Sequence, residues 1–187
     1  MKKLAFLLVF SLLLVGAYGQ SATNEVINTI LNGYSARAYT SEPVSDKDIE
    51  LILDCGVKAP SARNAQPWKF TVIKNGDLVG QIIRNATPGN VVILISGPES
   101  AEQGMSVNID CALATESMFI AALGLGLGAR IYTAPIAGVN ARKQDFQIPE
   151  GYRAVTVLRI GHMDKNVDAV TAASPRKAKA ELVNVVE

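Results

Sequence analysis

The sequence predicts an α+β fold in which a mixed sheet is sandwiched by helices, and three stretches carry that prediction. Residues 91–96 form a continuous apolar run of strand length, which indicates a strand in the middle of a sheet. Residues 107 to about 124 have helical spacing but are apolar on nearly every side, which indicates a buried helix. Residues 152–161 alternate polar and apolar side chains over part of their length, which predicts a strand with one more exposed face.

The N-terminus predicts an exported protein. Two lysines precede a continuous apolar run over residues 4–16, and the small residues Ala17 and Gly19 bracket Tyr18. A basic start, a short apolar run and small residues at the minus-three and minus-one positions are typical of a signal peptide, and the run is short for a membrane span. We therefore expect cleavage between Gly19 and Gln20, with residues 1–19 removed and residues 20–187 secreted or periplasmic as a single domain with no membrane attachment.

Charge and metal-ligand content exclude several classes of function. The 187 residues include 18 basic and 17 acidic side chains, which gives no electrostatic reason to expect nucleic acid as a partner. His162 is the chain's single histidine, and no group of residues has the spacing of a metal site, so none is expected. Cys55 and Cys111 fall on separate predicted helices; they can pair in an oxidising compartment, or can be two small buried hydrophobes, which is the interpretation favoured here.

The first half of the chain divides into elements at clear stop signals. A helix is predicted over residues 22–31, followed by a short extended stretch, residues 34–39. Ser45 is a good N-cap for a helix that continues to about residue 57, with Asp46 and Asp48 in its first turn. Residues 68–73 read as a strand and residues 78–85 as a short helix that ends before the break at 87–90.

The second half brings an ambiguity and an unpartnered apolar surface. The glycine-rich run 124–128 superficially resembles a phosphate-binding loop, but it follows a helix, which favours a helix C-terminus entering a buried turn. A strand over 129–135 and a helix over 137–146 are expected to precede the strand at 152–161. The central helix is too apolar, and the tail at 182–186 too apolar to stand in solvent, unless a second subunit covers them.

The most distinctive stretch is residues 59–70, Ala-Pro-Ser-Ala-Arg-Asn-Ala-Gln-Pro-Trp-Lys-Phe. Pro60 and Pro67 bound a tight polar loop, because each proline fixes its own backbone and biases the preceding residue away from helix. Such a loop can present hydrogen bonds to a flat polar ligand, or can be an ordinary connector between a helix and a strand. Two cationic groupings, Ser35 with Arg37 and Arg176 with Lys177, add donors of the kind that a phosphate group requires.

Taken together, these stretches resemble the FMN-dependent nitroreductase family. By this resemblance, the chain is identified as a small, exported member. The resemblance rests on Tyr-Ser-Ala-Arg-Ala-Tyr, on Glu-Pro-Val-Ser, and on the specific Pro-Ser-x-x-Asn-x-Gln-Pro-Trp string of the loop. It continues through the Gly-Leu-Gly end of the central helix, Ile160-Gly161 and the final Pro-Arg-Lys-Ala. It thus covers essentially all of residues 20–187, as one nitroreductase-like FMN-binding domain.

The resemblance implies an intertwined homodimer with one flavin mononucleotide in each subunit interface. The implied FMN-binding residues are two phosphate contacts (Ser35 and Arg37), a loop contributed by the partner subunit (Pro60, Ser61, Ala62 and Asn64), a segment whose backbone faces the reducible edge of the ring (Tyr132, Thr133 and Ala134) and a C-terminal phosphate clamp (Arg176 and Lys177). No side chain is required as acid or base. Electrons would pass by ping-pong from a reductant such as NAD(P)H to small electron-poor molecules, nitroaromatics or quinones.

Three departures from the family pattern keep other functions open. Gly33-Tyr34 stands where the family has a basic pair, residues 97–107 are short where many members carry an insertion, and an exported chain must find FMN and a reductant outside the cytoplasm. One alternative is therefore a non-catalytic protein that retains the fold to hold flavin or another planar ligand. A flavin-dependent dehalogenase or a flavin-consuming member of the same superfamily is a weaker one.

Overall fold

A four-stranded antiparallel sheet with helices on both faces makes up the fold, in a computed structural model that describes residues 24–100, 106–167 and 175–186. The predicted signal peptide, residues 1–19, lies outside the described residues. The strands are β1 (Lys69–Ile73), β2 (Val91–Pro98), β3 (Gly128–Tyr132) and β4 (Tyr152–Gly161), and their order across the sheet is β1-β2-β4-β3. The helices are α1 (Glu25–Asn32), α2 (Asp46–Val57), α3 (Gly76–Ile82), α4 (Val107–Gly124), α5 (Ile136–Asn140) and α6 (Lys179–Leu182).

Strand pairing confirms the α+β class but differs from the expected mixed sheet. Every pair among the four described strands is antiparallel, with a bulge in β2 between Ile95 and Ser96. Strands β2 and β3 do run in the same direction, and the chain crosses between them through α4. They are not neighbours, because β4 returns along the sheet and inserts between them. The parallel pair that a helical crossover normally creates is thereby replaced by two antiparallel ones.

The two faces of the sheet bury alternate residues of the same strands. Ile93 and Ile95 of β2 face α2 and α4 in the larger core cluster, while Val92 and Leu94 face the smaller cluster around α3 and α5. This period-two alternation places apolar side chains on both faces, as expected for a strand that lies between two helical layers. The prediction of a sheet sandwiched by helices is therefore confirmed.

The longest helix, α4, has the predicted bounds and crosses the sheet on the face shared with α2. By length and hydropathy alone it could span a membrane, but in this fold it is the core helix, with Cys111, Ala114 and Met118 fully buried. The glycine run is a helix C-terminus, as predicted, since Gly126 takes a positive φ of 76° and the Leu127 N–H donates to the carbonyl of Ala122 at 3.0 Å. The turn at 124–126 is exposed, however, and not buried as expected; burial resumes at Leu127.

A continuous apolar surface remains uncovered on α1 and α4. All eight residues of α1 stay at least partly exposed, and its apolar side chains are among the most accessible in the described chain, with Leu31 72% and Val26 59% exposed. On α4, Ile109 is 61% exposed. Val185 and Val186 in the tail are also exposed. Exposed apolar side chains of this size are of the kind that interaction surfaces use.

Several local predictions are wrong. The strand at 152–161 was expected to have one more exposed face, but β4 lies between two strands and is buried on both faces over most of its length. The strand expected over 129–135 ends at Tyr132. The predicted helix over 137–146 is a five-residue helix, α5, followed by a chain of turns in which Gln147 has a φ of 53°. The turns carry Phe146 and Ile148 into the smaller core cluster, and that burial outweighs helical continuity. Both cysteines are free, but only Cys111 is buried; Cys55 is exposed on the outer side of α2, so it is not the buried hydrophobe that was favoured.

Candidate functional site

A pocket of about 290 Å³ joins residues from both ends of the described chain. It opens between the end of α1, the outer side of α4 and strand β3. Its polar wall includes Ser35 and Arg176, which are far apart in sequence and were both predicted to contact a phosphate group. Its other walls are formed by Ile30, Gly33, Tyr34, Glu116, Phe119, Ile120, Leu123 and Ile131. A hydroxyl and a guanidinium beside an apolar wall suit a ligand that has an anionic end and a flat apolar part.

The extended segment after α1 places Ser35 and Arg37 on one side. Burial alternates over residues 35–37: Ala36 is buried, whereas Ser35 and Arg37 are exposed. Because successive side chains of an extended chain point to opposite sides, Ser35 and Arg37 share the outward side. The Ala36 N–H donates to the carbonyl of Ala129 at 3.0 Å, which fixes the segment next to β3. Arg37 itself does not line the pocket.

A buried arginine supports this segment from below. Arg159 donates from Nε to Oδ1 of Asn90 at 2.7 Å, and its guanidinium carbon lies 4.0 Å from the centre of the Tyr39 ring. The Tyr39 hydroxyl donates to the carbonyl of Ala36 at 3.3 Å, and burial raises the pKa of that hydroxyl above its usual value. Tyr39 thus stays neutral and ties the segment to the core.

Gly33, which stands with Tyr34 before Ser35, is tightly packed. A Cβ on Gly33 would lie 2.7 Å from Cδ1 of Leu123 and 2.7 Å from the carbonyl oxygen of Thr29. The next residue, Tyr34, directs its hydroxyl to Sδ of Met163 at 3.6 Å. A side chain at position 33 would therefore require a shift of the Leu123 side chain and of the backbone at the end of α1.

The loop between Pro60 and Pro67 is a strained turn. Ser61 is extended, residues Ala62–Asn64 form a single 3-10 turn, and Arg63, Asn64 and Gln66 have φ values of 54°, 55° and 47°. The left-handed region is costly for residues with a side chain, roughly 1–2 kcal/mol each. Bonds within the loop offset part of that cost, since the N–H of Gln66 donates to Oγ of Ser61 at 3.0 Å.

Within one chain, this loop and the pocket lie at opposite ends of α4. The Ala62 N–H donates to Asp110 in the first turn of α4, at 3.0 Å, whereas the pocket is built around Phe119 nine residues later. At 1.5 Å per residue, the two are about 14 Å apart along the helix axis. The structure therefore brings Ser35 and Arg176 together but leaves Pro60, Ser61, Ala62 and Asn64 away from them.

The third predicted group, Tyr132 to Ala134, contributes backbone rather than side chain. Tyr132 is the last residue of β3 and packs against the smaller core cluster, on the sheet face opposite the pocket, with Arg130 5.0 Å from its ring centre. Its neighbour Ile131 points the other way and lines the pocket. Thr133 and Ala134 follow in an exposed turn, where their N–H groups donate to no other backbone group in the described parts of the chain.

Several pocket residues were missed by sequence reasoning. Four residues of α4 line the pocket without having been predicted: Glu116, Phe119, Ile120 and Leu123. Lys177, which was predicted to contact the phosphate, is exposed and does not line the pocket. The spacing of these four on α4 is that of a single helix face. That signal is present in the sequence, but the helix is apolar on nearly every side, so the spacing does not single out this face.

The chain is similar to flavin-binding reductases over most of its length. Residues 30–89 match the nitroreductase family. A provisionally named NADH dehydrogenase/NAD(P)H nitroreductase of Archaeoglobus fulgidus is 29% identical over 151 residues, which cover 74% of this chain and 85% of that protein.

Solved structures of similar proteins extend the likeness to the fold. A provisionally named nitroreductase of Desulfovibrio desulfuricans, in complex with FMN, is 27% identical with a TM-score of 0.73, over 88% of this chain and 98% of that one. A nitroreductase with bound FMN from Desulfitobacterium hafniense superposes with a TM-score of 0.72 at 20% identity, over 88% and 99% of the two chains. The chain therefore has the nitroreductase fold and carries, over residues 30–89, a match to the nitroreductase family.

Proposed function

We propose that the protein is an FMN-dependent oxidoreductase of the nitroreductase type. The observation that carries the proposal is the pocket in which Ser35 and Arg176 converge beside an apolar wall of α4. Similar proteins of the same fold are crystallised with FMN, and FMN combines the two chemistries that the pocket offers, a phosphate and a flat aromatic ring.

The residues present suit that cofactor by the kinds of contact that they offer. The Arg176 guanidinium can hold two phosphate oxygens at once, and the Ser35 hydroxyl can donate to a third. Phe119 and Leu123 offer apolar surface that excludes water from the ligand. Bound FMN supplies the acceptance and release of a hydride, and the protein supplies binding and orientation. The exposed N–H groups of Thr133 and Ala134 are available to donate to the polar edge of the ring.

A homodimer would complete the site. Exposed or half-buried positions 109, 113, 116 and 120 repeat along one stripe of α4, and the apolar surface of α1 continues it. If a second copy packs on this surface about a two-fold axis that passes beside the middle of α4, the two α4 helices run antiparallel. The start of the partner helix then lies beside the end of this one. The partner's polar loop would then lie at this pocket. The loop of the same chain is about 14 Å away along α4 and cannot reach it.

The proposed reaction passes electrons from a reductant such as NAD(P)H to nitroaromatics or quinones, after export of residues 20–187. The curated relative from Archaeoglobus fulgidus carries NAD(P)H in its name, which supports this donor. The pocket is bounded by α1, the segment 33–35, α4, β3 and Arg176, and it opens to the surface, which suits a broad range of flat substrates.

One spectrum tests the proposal. Purified protein mixed with FMN and freed of excess ligand should keep flavin absorbance near one FMN per subunit, and NAD(P)H under anaerobic conditions should bleach it. Protein that fails to retain FMN at micromolar concentrations contradicts the proposal. Light scattering should give the mass of a dimer.

A second candidate function rests on the low positive charge of the pocket. Glu116 lines the same walls as Arg176, and a side chain at position 33 would require its neighbours to shift. A protein that holds flavin or another planar ligand without turnover would tolerate this balance. Bound FMN that neither NADH nor NADPH reduces would favour the binding protein over the enzyme.

A further inference from the structure

Asp110 is a buried carboxylate that the proposed chemistry does not use. It lies in the first turn of α4 and is 2% exposed. Its Oδ1 accepts the Ala62 N–H at 3.0 Å, while its Oδ2 is buried with no hydrogen-bond partner among the described residues. A half-satisfied buried carboxylate is costly, so its presence in the core calls for a role that an apolar residue could not fill.

The immediate surroundings of Asp110 are the N-terminal end of α4 and the adjacent thiol of Cys111. The positive end of the α4 dipole favours a negative charge in the first turn. The adjacent thiol, Cys111, responds as expected: burial, and then the nearby Asp110 carboxylate, raise its pKa to about 11. No cationic side chain lies within ion-pair distance of Asp110 among the described residues. Its one bond runs to the backbone of the loop.

That bond falls at the point where the loop needs support. Ala62 opens the 3-10 turn, and the strained residues Arg63, Asn64 and Gln66 follow at once. The bonds from Asn64 and Gln66 to Ser61 close the loop on itself, but they do not fix where it stands relative to the helices. The bond to Asp110 joins the turn to the first turn of α4.

We propose that Asp110 is a positioning residue that holds the polar loop, residues 60–66, in its ligand-binding shape. It acts through the Ala62 backbone rather than by touching the ligand. The ligand-binding part of this role rests on the proposed function, whereas anchoring of the loop is a property of the free protein. In the proposed dimer, Asp110 of one subunit would set the loop that closes the pocket of the other.

The direct test is hydrogen exchange of the loop amides in the protein without flavin. Asp110→Ala removes the acceptor, and Asp110→Leu removes it while keeping a side chain of similar size, in case the alanine variant does not fold. Exchange of the amides at 62–66 should be at least tenfold faster in these variants and within threefold of the parent in Asp110→Asn, which keeps an acceptor oxygen. Ser96→Ala is the matched control, because Ser96 is fully buried and its Oγ also has no partner among the described residues. Unchanged exchange in the alanine and leucine variants would overturn the anchor.

FMN binding then separates positioning from mere stability. At a temperature where each variant is fully folded, Asp110→Ala or Asp110→Leu should weaken FMN affinity about tenfold and alter the visible circular dichroism of the bound flavin. Asp110→Asn should restore both. If the parent binds no FMN, the proposed function fails while the exchange data still decide the anchor. If the parent binds FMN and the loop loosens without any change in FMN affinity, Asp110 is only a structural residue.

Discussion

The assignment of Arg176 as a phosphate contact can be tested by removing the guanidinium from the protein and the phosphate from the ligand. Arg176→Ala should weaken FMN binding, because a charge-assisted hydrogen bond contributes about 1.5–3 kcal/mol. Each 1.4 kcal/mol is a factor of ten in affinity, so a buried contact would cost roughly tenfold to a hundredfold. Arg176 is exposed at the rim of its pocket, where solvent screens the charge, and the lower end of that range is expected.

Riboflavin, which has the same ring but no phosphate, supplies the matched ligand. Arg176→Ala should leave riboflavin affinity within threefold of the parent value, so that the loss appears only when both guanidinium and phosphate are present. The neighbouring Lys177→Ala is the control on the protein side, because Lys177 is equally exposed but does not line the pocket. Fluorescence titration of flavin gives all six dissociation constants. An equal loss for FMN and riboflavin would refute the phosphate assignment.

Three further predictions follow from the same geometry. Gly33→Ala should destabilise the fold by about 1–3 kcal/mol, since its Cβ would lie 2.7 Å from a leucine carbon and from a carbonyl oxygen. Gly80→Ala is the control: nothing lies within 4 Å of the added carbon, so it should stabilise its helix by up to about 1 kcal/mol. Equal urea midpoints for the two variants would contradict the clash at Gly33. Glu116→Gln should tighten FMN binding severalfold and leave riboflavin binding unchanged, because it removes a negative charge from the pocket wall; a gain for both ligands would show that charge is not the cause. Between pH 9 and pH 11 the unfolded chain releases the proton of Cys111, while the folded chain, in which the pKa of that thiol is raised to about 11, retains it. The free energy of unfolding should therefore fall across this window, as measured by thermal melting. The fall should be smaller in Cys111→Ala and unchanged in Cys55→Ala.

The elements that sequence predicted well are those in which local pattern and tertiary burial agree. The helix at 107–124 and the strand at 152–161 have their predicted bounds, because their stop signals are glycine and turn residues that act locally. The burial of that strand was not predicted, since β4 lies between β2 and β3 and is buried on both faces over most of its length. Ser45 caps α2 as expected, accepting the N–H of Asp48 at 3.1 Å. The α5 region failed because Phe146 is held by contacts with distant strands, and such contacts leave no trace in local spacing.

The candidate site was only partly predictable, for a similar reason. The sequence pointed to Ser35 and Arg176 separately, and no local pattern could tell that a residue after α1 and one near the C-terminus line the same pocket. The left-handed backbone at Arg63, Asn64 and Gln66 was equally hidden. Their side chains are unremarkable for a turn, and the strain is held by tertiary contacts such as the one from Asp110.

The separation of loop and pocket along α4 links assembly to function. A single chain has the pocket of Ser35 and Arg176 at one end of the helix and the polar loop at the other, with exposed apolar residues of α4 between them. Apolar surface in the stripe favours burial against a second copy, and an antiparallel arrangement about a two-fold axis is the one in which each end of α4 meets the other end of its partner. Glu116 lies within that stripe and also lines the pocket, so its charge bears on both the dimer and the ligand. Ligand affinity should therefore depend on protein concentration near the dimer dissociation constant, because a monomer would present only half of each site.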